Sequence, residues 1–69
     1  MPESIYKIIE VVGTSPNSWE EAAKNAVHTA SESVRDLRVA EIVKLDMSMS
    51  ENAVVSYRAR VSLSFKYER

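Results

Sequence analysis

Carboxylates and cations are the side chains that could do chemistry in this 69-residue chain, and several lie in segments that alternate like β-strands. Four carboxylates lie on or beside these segments: Glu10, Glu41, Asp46 and Glu51. Calcium is bound by six to eight oxygens, often from several carboxylates and carbonyls. The chain has neither an EF-hand spacing nor an acidic cluster. These groups therefore fit either ion pairs across subunits or a site that several copies share at a symmetry axis.

Three cationic side chains, Arg58, Arg60 and Lys66, fall in the polar set of the last alternating segment. One interpretation is a solvated face with salt bridges between subunits. The other is a cationic lining that attracts an anionic ligand, because charge-assisted hydrogen bonds to anions are strong. The residue types alone leave both interpretations open.

Other reactive groups are isolated. Trp19 is the only tryptophan and lies on the apolar face of a predicted helix, which favours a core or subunit contact. His28 is the only histidine, lies roughly opposite, and is expected to be solvated or at an interface. The chain contains no Ser/His/Asp arrangement, paired-carboxylate motif, glycine-rich phosphate loop or zinc spacing. We therefore predict that it is not an enzyme and that it has no catalytic residues.

Length and composition predict a single domain over residues 1–69 that associates with copies of itself. So small a domain is marginally stable and usually needs a disulfide, a metal or oligomerisation. There is no cysteine, which excludes disulfides and thiolate metal sites, and there is no Cys/His cluster, so oligomerisation remains. The net charge of −1 argues against nucleic acid as a partner. The N-terminus lacks the features of a secretory signal, and no apolar stretch approaches the roughly 20 residues that span a bilayer. We expect a cytoplasmic protein.

The pattern of residues predicts a βαββ order. A β-branched run from Ile5 to Val12 reads as the first strand, stopped by Gly13. Ser18 and Glu21 form a capping box, in which the serine accepts from the amide of Glu21 and the glutamate reaches back to the amide of Ser18. A helix from about Trp19 to Val34 follows, with an apolar stripe rich in alanine.

From Leu37 the period changes to two, which predicts a long antiparallel hairpin. In the second strand one set is Val39, Glu41, Val43, Leu45, Met47 and Met49, and the other is Ala40, Ile42, Lys44, Asp46 and Ser48. The turn is predicted at residues 50–52. The third strand is predicted from Ala53 to Tyr67, with one apolar and one polar face. Tyr57, Val61, Leu63 and Phe65 belong to the apolar set.

The hairpin is too long for its own helix. Arms of about 12 to 14 residues span about 40 to 48 Å, whereas a helix of about 16 residues spans about 24 Å. The excess apolar surface and the bare strand edge would need to be covered by another copy.

Four segments together resemble the dodecins: Tyr6 to Ser15, Ser18 to Ala23, Arg38 to Ile42 and Val61 to Lys66. The resemblance covers nearly the whole chain. It implies an α+β fold in which a three-stranded antiparallel sheet wraps around one helix. It also implies a hollow shell of twelve copies, a homo-dodecamer, that stores flavins such as riboflavin, FMN or FAD stacked between aromatic residues.

Two positions depart from the flavin-binding pattern of that family. Val39 stands where the stacking tryptophan is expected, and Arg58 stands where a glutamine bonds the flavin ring edge. Valine offers no π-face, and an arginine donates but cannot accept. The resemblance therefore assigns Val39 and Arg58 to an altered cofactor pocket, where Arg58 could attract the phosphate of a nucleotide-type flavin.

The chain resembles the calcium dodecins more than the flavin-binding type, because it shares with them Ser-Pro-x-Ser-Trp-Glu at residues 15–20, Arg-Val-Ala at residues 38–40 and Asp-Met at residues 46–47. That likeness implies a dodecamer with bound calcium, and Asp46 is our candidate metal ligand. We predict a homo-dodecameric protein that binds or stores a small ligand through an altered flavin-type site. A calcium-binding shell and a structural oligomer without a ligand are the alternatives.

Overall fold

The computed structural model describes residues 5–66 and has the predicted βαββ order. Strand β1 spans Tyr6–Ser15, helix α1 spans Trp19–Ser31, strand β2 spans Leu37–Ser50 and strand β3 spans Ala53–Lys66. The three strands form one antiparallel sheet in the order β1-β3-β2, so β3 lies in the centre. The predicted end of the third strand at Tyr67 lies outside the described residues.

The sequence predicts that the first strand stops at Gly13. In the structure β1 continues to Ser15, which pairs with Tyr57 of β3. Gly13 is buried beneath α1. A Cβ atom at this position would overlap the carbonyl oxygen of Ala22 and would lie 2.8 Å from the Cβ of Ala26. The glycine therefore marks a close approach of helix and strand rather than the end of a strand.

The helix begins as predicted and ends earlier. The side chain of Ser18 accepts from the amide of Glu21 at 3.0 Å, which is half of the predicted capping box. The other half is wrong, because the Glu21 carboxylate accepts from the Ser15 hydroxyl and from the Asn17 side chain instead. These two hydrogen bonds, that of Ser15 first, hold the pKa of Glu21 below its usual value.

Residues 32–34, predicted as the last turn of the helix, lie outside it, and residues 32 and 33 form a turn. The amide of Val34 still donates to Ala30 at 3.0 Å. The chain must then reverse to enter β2, and Asp36 does so with a φ of 61°. Aspartate tolerates this left-handed conformation better than most residues. The helix therefore ends at Ser31, before the reversal begins.

The predicted alternation of β2 is wrong beyond Ile42, because Val43 is an extra residue without a partner on β3. Ile42 pairs with Val61, whereas the next pair is Lys44 with Arg60. This bulge changes the phase of the strand. As a result, Leu45 and Met47 lie on the same face of the sheet as Ala40 and Ile42, whereas strict alternation predicts the opposite face.

The core lies between α1 and the face of the sheet that carries Val61. It contains the buried residues Ala22, Ala26, Ala59, Val61 and Leu63. Two helix alanines in this core let the backbones approach closely. Of the apolar set predicted on the third strand, Val61 and Leu63 are fully buried, while Tyr57 and Phe65 are half-buried.

The hairpin extends beyond the helix, as predicted. Its two-residue loop is formed by Glu51 and Asn52, with φ values of 53° and 63°, as in a type I′ turn. Near this loop large apolar side chains are exposed, including Met49 at 59% and Val55 at 56%. The molecule measures 56 × 19 × 15 Å along its principal axes. One chain therefore leaves the end of its hairpin uncovered.

Candidate functional site

The face of the sheet opposite α1, here called the outer face, carries most of the predicted site residues. Strand pairing sets its side chains in rows that cross β3 and β2, and every row except that of Ser56 continues onto β1. From the hairpin loop outward the β3 members of these rows are Ser56, Arg58, Arg60, Ser62 and Ser64. Each row is continued on β2 by the residue opposite, in order Ser48, Asp46, Lys44, Glu41 and Val39.

Asp46 and Arg58 lie directly opposite each other on this face and form an ion pair. Nε of Arg58 donates to Oδ1 of Asp46 at 2.7 Å, and Nη2 donates to Oδ2 at 3.1 Å. This two-pronged geometry is the one that a guanidinium makes best with a carboxylate. The metal candidate and one of the flavin candidates are therefore partners within one chain.

The ion pair shifts the pKa of both groups in the direction that favours their charged forms. The hydrogen bond from Arg58 lowers the pKa of Asp46, and Lys44 and Arg60 lower it further through their charges. The same hydrogen bond raises the pKa of Arg58. Since the folded pKa of Asp46 is lowered, the pair stabilises the fold fully above the ordinary aspartate pKa of about 3.9. That contribution is lost as the pH falls through the lowered value.

The helix side of the sheet fixes the backbone at Asp46. The indole Nε1 of Trp19 donates to the carbonyl oxygen of Asp46 at 2.9 Å. The Trp19 ring also meets Tyr57 edge-on, with centroids 5.0 Å apart and an interplanar angle of 72°. The sequence suggested only a core or subunit contact for Trp19. An indole that packs against a core usually finds an acceptor for its N–H, and this tendency was the signal in the sequence for a hydrogen bond from Trp19.

Val39 lies far from Arg58 in one chain. It is opposite Ser64, six positions along β3 from Arg58, which corresponds to roughly 20 Å. Its side chain is 59% exposed. One chain therefore does not bring together the two residues assigned to the cofactor pocket, and their role stays a prediction. His28 is exposed and lies 3.8 Å from Glu32, from Nε2 to Oε2.

No group of three or more His, Cys, Asp or Glu side chains within residues 5–66 is placed to hold a metal ion. Asp46 is surrounded instead by cations, namely Arg58, Lys44 and Arg60. The donor type fits calcium, but both oxygens of this carboxylate accept from Arg58. Within the part of the chain that the structure describes, no helix is long and apolar enough to cross a membrane.

A βαββ chain whose antiparallel sheet packs one face on a single helix and leaves the other face open has the architecture of the dodecins. The dodecin of Streptomyces coelicolor superposes with a TM-score of 0.91 over 100% of this chain and 99% of its own, at 32% identity. The Dodecin family model matches residues 5–68. This chain therefore belongs to the dodecin family.

Its relatives include proteins that are named for calcium. The calcium dodecin of Mycobacterium tuberculosis is 46% identical over 63 residues, which cover 91% of this chain and 89% of the relative. A crystal structure of a calcium dodecin from that organism, described as calcium-chelating and as having a calcium-binding site, has a TM-score of 0.84. It is 45% identical and covers 94% of this chain and 93% of its own.

Proposed function

We propose that this chain assembles with copies of itself into a dodecin shell that binds calcium between subunits. The observation that carries the proposal is the 46% identity, across 91% of the chain, to a calcium dodecin. The expected assembly is the homo-dodecamer, acting in the cytoplasm. Its role would be to bind and buffer a small ligand rather than to catalyse a reaction.

Exposed apolar surface supports the assembly. Side chains at the end of the hairpin and on both outer strands are about half exposed or more, among them Ile8, Val39, Val43, Met49 and Val55. Monomeric soluble proteins rarely leave such large apolar patches uncovered. Contact with further copies would bury them. This would supply the stability that so small a core lacks.

A shared site supports calcium better than a site within one chain. Asp46 is a half-exposed carboxylate of the outer face, and the hydrogen bond from Arg58 lowers its pKa, which favours the ionised form. A calcium ion needs more oxygens than one aspartate supplies. In the proposed site, Asp46 carboxylates from several copies meet at a symmetry axis, together with backbone or water oxygens.

The proposal is tested by calorimetric titration of calcium into chelator-treated protein whose mass has been measured by light scattering. We expect an assembly larger than a monomer that takes up calcium with a whole-number ratio of subunits to ions. Calcium should raise the melting temperature, because a ligand that binds only the folded state stabilises it. Magnesium is the matched control, since it requires a stricter octahedral site. An assembled protein without heat of binding or thermal shift would contradict the calcium role.

Flavin is the second candidate ligand, favoured by the membership of the family and by the exposed position of Val39 on the outer face. We expect weak binding or none. Valine has no ring to stack on an isoalloxazine, and the guanidinium of Arg58 is engaged by Asp46. Titrating the protein into riboflavin and FMN should leave their fluorescence unchanged at stoichiometric excess.

Two features are expected to weaken flavin binding: position 39 has no aromatic ring, and Arg58 is engaged by Asp46. A variant separates these two causes. Val39→Trp restores an aromatic face at the candidate position, with Val43→Trp as a control at the bulge. If Val39→Trp quenches the fluorescence of the flavin and Val43→Trp does not, the flavin pocket is at position 39. Strong quenching by the unmodified chain would instead contradict the expectation and favour flavin storage.

A further inference from the structure

Asp46 lies on a strand that has few contacts besides its pairing with β3. Strand β2 is at the edge of the sheet, and helix α1 packs mainly on β1 and β3. The bulge at Val43 precedes Asp46, and a second irregularity follows Ser48, so a short regular stretch of β2 carries the carboxylate. An edge strand is paired on one side only. Its position therefore depends on whatever else holds this stretch.

One side chain of the helix reaches the stretch. The indole Nε1 of Trp19 donates to the carbonyl oxygen of Asp46 at 2.9 Å, and within residues 5–66 no other hydrogen bond joins α1 to β2. The indole is held in turn by the ring of Tyr57, which it meets edge-on. Tyr57 directly precedes Arg58, the partner of Asp46. Trp19 therefore contacts both arms of the hairpin at the level of the ion pair, from the opposite face of the sheet.

We propose that Trp19 is a positioning residue for the Asp46 carboxylate. Its hydrogen bond holds the backbone of Asp46 from the helix side, and the carboxylate extends from that backbone onto the outer face. The two-pronged bond with Arg58 requires a defined geometry. A calcium site shared by several copies requires one too, because the ligands must meet at one ion. Trp19 would support the ligand without touching the ion, a role that rests on the calcium site proposed above.

A packing role for Trp19 is the alternative, and it predicts something different. If the indole only fills space between α1 and the hairpin, its N–H matters little, and loss of the Tyr57 contact should act like loss of the N–H. If Trp19 positions Asp46, the N–H is the group that matters. Groups that orient a metal ligand from outside the coordination shell typically change metal affinity by about 10- to 100-fold when they are removed.

The test removes the N–H and keeps the ring. Trp19 is the only tryptophan, so a tryptophan analogue with sulfur in place of the indole N–H changes this position alone. Trp19→Phe removes the same donor by mutation. Tyr57→Leu is the matched control, because it removes the edge-on contact and leaves the indole donor in place. Calorimetric titration of the assembled protein should show calcium binding that is roughly 10-fold weaker or more without the N–H, and unchanged in Tyr57→Leu.

A second measurement needs no calcium. In chelator-treated protein the Nε proton of Arg58 is expected to be protected against exchange with water, because Nε donates to Oδ1 of Asp46 at 2.7 Å. Nuclear magnetic resonance should show that this protection is lost when the indole N–H is removed and is kept in Tyr57→Leu. Thermal unfolding of each protein checks that it is folded at the temperature of the measurement.

The two measurements separate the positioning role from the calcium role. If removal of the indole N–H changes neither the calcium affinity nor the Arg58 proton, or if Tyr57→Leu changes them equally, Trp19 has a packing role only and the inference is wrong. If the unmodified chain binds no calcium, and the Arg58 proton still loses its protection only without the N–H, the calcium role is wrong and the positioning of Asp46 stands.

Discussion

Replacing Gly13 by alanine is expected to lower the free energy of unfolding by about 3 kcal/mol, at the upper end of the usual effect of overpacking. The added Cβ would overlap the backbone oxygen of Ala22 and would lie 2.8 Å from the Cβ of Ala26. A backbone oxygen within a helix cannot rotate away as a side chain can. Relief therefore requires α1 to move off the sheet, which opens the core around Ala59, the residue opposite Gly13.

Chemical denaturation followed by circular dichroism measures this effect. Thr14→Ala is the matched control, because Thr14 is the next residue of β1 and its side chain is exposed. The control is expected to change stability by less than about 0.5 kcal/mol. Equal stability of Gly13→Ala and the unmodified chain would mean that the helix does not pack so closely on β1. If both variants lose stability, the cause would be a general sensitivity of β1 to substitution and not the close approach of the helix to Gly13.

The order of elements was predictable because each one has its own local pattern. Ser18 and Glu21 signal the start of the helix, and strict alternation from Ala53 onward signals the central strand. The errors arose where a tertiary contact decides the structure. The sequence predicts a strand end at Gly13, because glycine usually punctuates local structure. Its real role depends on a helix that crosses the strand at that point, which no local pattern shows.

The candidate site shows the same limit. Asp46 and Arg58 were both singled out from the sequence, one for metal and one for flavin. Their ion pair depends on the register of the hairpin, and the unpaired Val43 shifts that register within β2. A one-residue slip moves every following side chain to the other face. Strict alternation therefore placed Leu45 and Met47 with Glu41, whereas the structure places Asp46 and Lys44 on the face of Glu41.

Replacing Asp46 by asparagine is expected to weaken calcium binding by at least roughly 100-fold, as the loss of a direct ligand should cost no less than the loss of an outer-shell partner. The amide keeps the shape of the side chain but removes the negative charge. In a site that several copies share, the charge is lost once in every subunit. The change also removes the ionic partner of Arg58, because the amide oxygen of asparagine accepts a hydrogen bond but carries no charge. The guanidinium would then add uncompensated positive charge beside the ion.

Arg58→Gln distinguishes the ligand role of Asp46 from its role in the ion pair. This variant also breaks the pair but leaves the Asp46 carboxylate in place, with both oxygens released. If Asp46 binds calcium, Arg58→Gln should bind it as tightly as the unmodified chain or more tightly, because calcium no longer competes with a guanidinium. If the pair is only structural, both variants should lose thermal stability alike and calcium affinity should not separate them. Calorimetric titration and thermal unfolding of the two variants side by side decide between these roles, and unchanged calcium affinity in Asp46→Asn would exclude Asp46 as the ligand.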